Sequence, residues 1–218
     1  MAIVLRAVVK PRARAKTEAC LEAAGKVFRE HGFALATMDQ VADEAQVSKA
    51  TLYSYFPSKL ELFSAVIRVE GDRQSAALLT VSLDDGNPRR GLLRLGRAVL
   101  DLLLAEGTIT SYRMVMAEAT RSPELGELYY RNGAARLHEQ LEQLLASAMA
   151  SGQLRKGPAH VAATQFIGLV RGDLMLRALL GIDRRGRAEE AEKRATVAAG
   201  VDSFWRAWGR PGRAVRTG

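Results

Sequence analysis

One cysteine, three histidines, two tryptophans and six prolines are the scarce residues of this 218-residue chain. A single thiol, Cys20, cannot form an intramolecular disulfide. It shares a helical face with Ala24, Val27 and Phe28, so it reads as a small buried hydrophobe. His31, His138 and His160 lack metal-site spacing, and there is no cysteine cluster to join them. No glycine-rich phosphate loop follows a strand pattern, and no nucleophile is paired with a base. These gaps predict no metal, no cofactor, no catalytic residue and no enzymatic activity. Long apolar runs are missing too, and nothing approaches the ~20 residues of a membrane span. The opening MAIVLRAVVKPRARAK is interrupted by Arg6 and has no leading charged region, which makes it a poor secretion signal. The expectation is a cytoplasmic protein with no membrane partner.

Alternating strand patterns are also absent. Ala, Leu, Arg and Glu are abundant, and the prolines fall mostly in short connections. An all-α fold follows. The formal net charge of +8 suits a polyanionic partner such as nucleic acid without requiring one.

The patterns present are helical. Residues 1–14 form a basic arm in which Lys10, Arg12 and Arg14 have no buried face. A helix over 15–31 carries Cys20, Ala24, Val27 and Phe28 at three-and-four spacing, and Gly32 stops it. Thr37 with Gln40 makes a capping box for a second helix, whose Met38, Val41, Ala42 and Ala45 face one way. A tight turn at Gln46 leads to Ser48, the cap of a third helix over 49–55. Leu52 and Phe56 point inward there. Lys49, Thr51, Tyr53, Ser54 and Tyr55 are left on the outer faces, a mixture suited to sugar, phosphate and thymine methyl groups. Pro57 and Ser58 open a fourth helix, which places Lys59 against the positive end of its dipole.

Beyond it, Asp84–Pro88 marks a turn. Helices are expected over 89–106, 109–120, 123–151 with a bend near Gly133, 158–181 and 188–208, for about nine in all. Phe204 and Trp208, with the small Ala195, Ala198, Ala199 and Gly200 that allow close helix approach, suit either an intrachain core or a dimer seam. Tyr112, Met116, Glu118, Tyr129, Tyr130, His138, Phe166 and Arg171 are candidates for a pocket that holds an apolar or aromatic molecule with a few polar handles. The predicted organisation is a basic arm over 1–14, a helix-turn-helix DNA-binding domain over 15–57, a larger helical domain over 58–209 that carries the candidate ligand pocket, and a tail over 210–218.

Val41–Phe63, VADEAQVSKATLYSYFPSKLELF, resembles the tetracycline-repressor (TetR) family of bacterial transcription regulators. The departure is Gln46, where glycine is common. The stretch from SPELGELYYRNG to FIGLVRGDLMLRALLG resembles the AefR-like branch of that family. The resemblance implies a homodimer whose last two long helices pair with their mates in a four-helix bundle, which makes 58–209 the ligand-binding and dimerisation domain. Together with the small residues of the last helix, it favours the dimer seam. It implies that Thr51 and Tyr53 reach bases or the groove. Ser48, Lys49, Ser54, Tyr55 and Lys59 match positions that contact bases or phosphates, and Thr37 matches a cap at the phosphate. The function implied is a repressor released from a palindromic, double-stranded operator by a small-molecule effector. The alternative is a constitutive or protein-partnered DNA-binding regulator whose C-terminal domain only dimerises.

Overall fold

The computed structural model describes residues 11–79, 83, 87–182 and 187–210. Among these, every regular element is a helix: α1 (Pro11–Leu35), α2 (Met38–Glu44), α3 (Lys49–Tyr55), α4 (Lys59–Leu79), α5 (Pro88–Leu104), α6 (Glu106–Glu118), α7 (Pro123–Asn132), α8 (Ala134–Ala150), α9 (Ala159–Arg171), α10 (Leu174–Leu179) and α11 (Arg187–Trp208). An isolated antiparallel bridge joins Leu154 to Gly209. The all-α expectation therefore holds.

The helix number rises from the expected nine because two long helices break at glycines. The helix expected over 123–151 divides at Gly133 (φ −113°, ψ −88°) into α7 and α8. The one expected over 158–181 divides at Gly172 (φ 53°, ψ −139°), a left-handed conformation that favours glycine, into α9 and α10. The break expected at Gly107 falls instead at Ala105 (φ −57°, ψ 137°). α1 begins at Pro11, inside the stretch expected as an arm. Residues 1–10 of that arm, Asp84–Gly86 of the expected turn, the 183–186 loop and 211–218 of the expected tail lie outside the described residues.

Packing divides the chain into two compact units, and differently from the sequence division at residue 57. One unit holds α1–α3, α4 as far as Asp72, and Thr110–Gly133; the other holds Arg73–Ile109 and the chain from Ala134 onward.

In the first unit, Cys20, Ala24, Val27 and Phe28 of α1 meet Val41, Leu52, Phe56, Leu62, Phe63 and Val66, joined by Val115 and Leu125. Cys20 is fully buried as expected, and burial pushes its thiol pKa up. Phe33 turns inward after the kink at Gly32 (φ 73°). Its ring lies 5.9 Å from Phe28 and 5.2 Å from Phe63, and Phe28 meets Phe63 edge to face at 5.3 Å. Each such aromatic pair adds about 0.5–1.5 kcal/mol beyond area burial. Arg29 of α1 pairs with Glu70 of α4 at 3.1 Å, and Asn132 of α7 donates to Ser64 of α4 at 3.2 Å.

The second unit packs α5, α9 and α11 around Leu95, Val99, Phe166, Val170, Val201 and Phe204. Gly200 has no room for a side chain: a Cβ there would stand 2.5 Å from the Leu169 carbonyl oxygen and 3.0 Å from the Val170 nitrogen. Phe204 is fully buried against Phe166, 5.0 Å away and edge to face. Trp208 stacks on Phe204, and its Nε1–H donates to Gln165 at 2.8 Å. Gly200 and Phe204 thus belong to the intrachain core, which corrects the favoured seam reading for these two. The exposed faces are elsewhere: Ala195, Ala198 and Ala199 on α11, Leu169 on α9, Leu176 on α10, and Leu180 and Ile182 after it.

Candidate nucleic-acid interface

The expected capping box at α2 forms in full. Gln40 N–H donates to Thr37 Oγ1 at 3.2 Å, and Thr37 N–H donates to Gln40 Oε1 at 2.9 Å. Two otherwise orphaned donors are satisfied in this way, and α2 starts at a defined point. Lys26 of α1 pairs with Glu44 at 2.8 Å and fixes its other end. Gln46 makes the turn with φ 54°, at the cost expected for a non-glycine residue there. Ser48 caps α3: its Oγ accepts from Thr51 N–H at 3.2 Å and lies 2.8 Å from Thr51 Oγ1.

α3 buries Leu52 and presents Lys49, Tyr53 and Ser54 to solvent, with Thr51 half-buried. Tyr53 is 47% exposed and stands one helical turn after Lys49. The Lys49 ammonium lies 2.5 Å from the Asp39 carboxylate, across from α2. The hydrogen bond to Asp39 and the carboxylate's charge raise the lysine pKa. Ser54 Oγ–H donates to the Thr51 carbonyl at 2.7 Å, so its hydroxyl offers an outside group lone pairs rather than a proton.

Two residues expected on this surface are placed otherwise. Tyr55 is half-buried and packs against the unit's core. Lys59 turns away from the surface. Its Nζ donates to the carbonyls of Phe33 at 2.7 Å, Ala34 at 3.1 Å and Ala36 at 2.9 Å, and it stands 4.6 Å from the centre of the Phe33 ring. Burial lowers its pKa, and the charge of Glu118 opposes that shift. Asp39 is the functional neighbour that sequence reasoning overlooked. Its signal was an acidic residue in the first turn of α2, ten positions before Lys49.

The residues expected to line an effector pocket are divided between the two units. Tyr112 and Tyr129 meet edge to face at 5.8 Å in the first unit, and burial pushes the Tyr129 phenol well above its ordinary pKa. Met116 and Tyr130, also in that unit, are exposed, while Glu118 is half-buried. His138, Phe166 and Arg171 belong to the second unit; Phe166 is core, Arg171 is exposed and His138 is half-buried. The second unit has an open groove of about 670 Å³ along one stripe of α5, lined by Leu93, Ala98, Leu102 and Ala105 together with Arg90, Arg94, Arg97 and Asp101. Arg97 is engaged with Asp101 at 2.8 Å and Glu190 at 2.5 Å. No helix among the described residues is long and apolar enough to cross a membrane.

A short capped helix, a tight turn and a second capped helix with a polar and aromatic outer face define a helix-turn-helix DNA-binding module. The comparisons with known proteins agree. Residues 21–66 match the family described as "Bacterial regulatory proteins, tetR family", and residues 90–210 match "AefR-like transcriptional repressor, C-terminal domain". The chain belongs to the TetR family of transcriptional regulators. It is 32% identical to the structure of a flavonoid-responsive regulator, FrrA, covering 92% of this chain and 99% of that one with a TM-score of 0.77. A TetR-family regulator from Mesorhizobium loti superposes with a TM-score of 0.81 at 25% identity, over 92% of this chain and all of that one. The HTH-type transcriptional repressor KstR of Mycobacterium tuberculosis is 28% identical over 191 residues, which are 85% of this chain and 79% of that protein.

Proposed function

We propose that this DNA-binding regulator is a homodimeric repressor, released from a palindromic operator by a small apolar or aromatic effector. The observation that carries the DNA-reading part is Lys49 and Tyr53, one turn apart on the exposed face of a helix capped at Ser48. Thr51 and Tyr53 read base edges or the groove. Thr37, Ser48 and Lys49 sit at phosphates and fix the register, and Ser54, whose hydroxyl proton is held by the Thr51 carbonyl, accepts from a base amino group. Tyr55 supports the helix from behind.

The dimer reading is supported by Leu169, Leu176, Leu180 and Ile182, large apolar side chains exposed on and after α9 and α10, with Ala195, Ala198 and Ala199 exposed on α11. An apolar set of this kind marks an interaction surface. Two heads related by a two-fold axis read a palindrome. The effector reading is supported by the α5 groove, whose apolar side chains and mixed arginine and aspartate lining suit an apolar or aromatic molecule with a few polar handles. The flavonoid response named for FrrA points to the same class of molecule. Effector binding in the second unit acts through α4 and α6, the helices along which the chain passes from one unit to the other. The protein works in the cytoplasm, where its DNA is.

A second reading is a constitutive regulator whose C-terminal helices only dimerise. It is favoured by the α5 groove, which lies open to solvent along one helix rather than enclosing a molecule. One experiment separates the readings. The full chain is used to select duplexes from a random-sequence library, and the enriched duplex is then titrated with flavonoids in the presence of protein. A palindrome released by a compound that binds the protein supports the repressor. Because the linkage is reciprocal, the operator must weaken that compound's binding by the same factor. Enrichment of a palindrome with no release by any bound compound selects the second reading, and no enriched sequence overturns both.

A further inference from the structure

We propose that Lys59 is a positioning residue that clamps the connection between α1 and α2, so that it governs DNA affinity without contacting a phosphate. An ammonium has three N–H donors. Here all three are taken, by Phe33, Ala34 and Ala36 carbonyls at 2.7–3.1 Å. Those carbonyls belong to the last residues of α1 and to the residue just before Thr37, where the chain has left the helix through the kink at Gly32. They have few partners within α1, and a cation at a helix C-terminus also meets a favourable dipole. The Phe33 ring closes the remaining side of the ammonium at 4.6 Å.

To reach a phosphate, Lys59 would exchange three charge-assisted hydrogen bonds and a ring contact for one exposed ion pair. The charge-assisted bonds are the stronger interaction, and a surface pair is weak. The exchange is therefore unfavourable. The clamp has a further consequence. Ala36 is followed directly by Thr37, whose hydroxyl and N–H set the start of α2, and α2 carries α3 through the Gln46 turn. The ammonium of α4 thereby fixes the origin from which the recognition helix is measured. Burial lowers the ammonium's pKa, and the charge of Glu118, at the end of α6, opposes that shift.

This inference rests on the DNA-binding reading, and its test keeps the two apart. The probe is a mixed-sequence duplex of about 30 base pairs, titrated with the full chain over a series of KCl concentrations. Lys49→Met, which removes an exposed cation, should lower the slope of log K against log salt by about one per recognition head. Lys59→Met should lower affinity on the order of tenfold with the slope unchanged, since a displaced head fits worse but releases the same counterions. A slope loss in Lys59→Met equal to that of Lys49→Met overturns the proposal in favour of a phosphate contact. Unchanged affinity with only a lower Tm overturns it in favour of a merely structural role. No salt-dependent binding by the unaltered chain overturns the DNA-binding reading, and this one with it. If Lys59→Met fails to fold, the unaltered chain decides through lysine acylation read by mass spectrometry. The clamp predicts that Lys59 resists acylation relative to the exposed Lys156, with no added protection from the duplex. Acylation of free Lys59 at the rate of Lys156, with protection by DNA, overturns it.

Discussion

Asp39 and Lys49 bind each other across the helix-turn-helix, carboxylate to ammonium at 2.5 Å, with both side chains more than half exposed. The cation best placed for a phosphate is thus neutralised in the free protein, and the carboxylate that holds it faces the same side. Asp39→Asn should release Lys49 and remove a repulsive charge. The expected outcome is tighter binding of mixed-sequence duplex by on the order of 3–10-fold, with a salt slope close to that of the unaltered chain, since Lys49 meets its phosphate in both. Fluorescence anisotropy over a salt series checks this. Weaker binding would mean that Asp39 orients Lys49 productively.

Tyr53→Ala removes an aromatic ring that is largely solvent-exposed on α3. The fold should hold, with stability changed by less than about 0.5 kcal/mol. Sequence-specific binding should fall by about 1–3 kcal/mol per head, while non-specific binding stays within a factor of a few. Paired titrations with a selected palindrome and a mixed-sequence duplex test the difference. Loss of the dimer would instead place Tyr53 in the scaffold.

Gln46 adopts φ 54° in the turn. Gln46→Gly relieves the Cβ strain while leaving both caps in place. Stability should rise by about 1 kcal/mol, read as a Tm increase of about 2–4 °C, with DNA affinity unchanged.

Gly200→Ala is expected to do the opposite in the second unit. Its Cβ would meet the Leu169 carbonyl at 2.5 Å, and that neighbour is backbone, which cannot swing aside. Separating α9 from α11 should cost about 2–3 kcal/mol. Urea denaturation followed by Trp205 and Trp208 fluorescence reports on this unit; a neutral result would show that the two helices are not held this closely.

Tyr129 gives a pH test in the first unit. Its phenol pKa is raised above the ordinary 10.0, first by burial and then by Tyr112 and Glu70. Between the unfolded and folded values the unfolded chain releases this proton and the folded chain keeps it. The contribution to stability is therefore full below about pH 10 and is lost progressively as pH rises toward the folded value. Tyr129→Phe should flatten that alkaline decline relative to the unaltered chain while matching its pH dependence below pH 9. Identical alkaline profiles would show that the phenol is not buried.

The reading head was legible in the sequence because its determinants are local. Thr37 and Gln40 are three residues apart, Ser48 precedes its helix, and Leu52 and Phe56 are four apart; backbone geometry over one or two turns turns such spacings into caps and faces. The all-helical class was legible for the same reason, through periodicity summed over many turns. The breaks at Gly133 and Gly172 were only half legible, since a glycine permits a break and packing on both sides decides whether one occurs.

The roles of Lys59, Asp39, Gly200 and Phe204 were decided by tertiary structure alone. Lys59 is 23 to 26 positions from the carbonyls it binds, and Gly200 is some thirty positions from the backbone that forbids it a side chain. From spacing alone, Lys59 pointed at a phosphate and Gly200 at a partner chain. Periodicity reports which way a side chain faces on its own helix, but not which charges, carbonyls or helices the fold brings to meet it. The sequence by itself determined that a capped helix-turn-helix would form and what its outer face would carry. Only the folded chain decided which of its cations remain for DNA, because a cation's partner is a matter of distance in space.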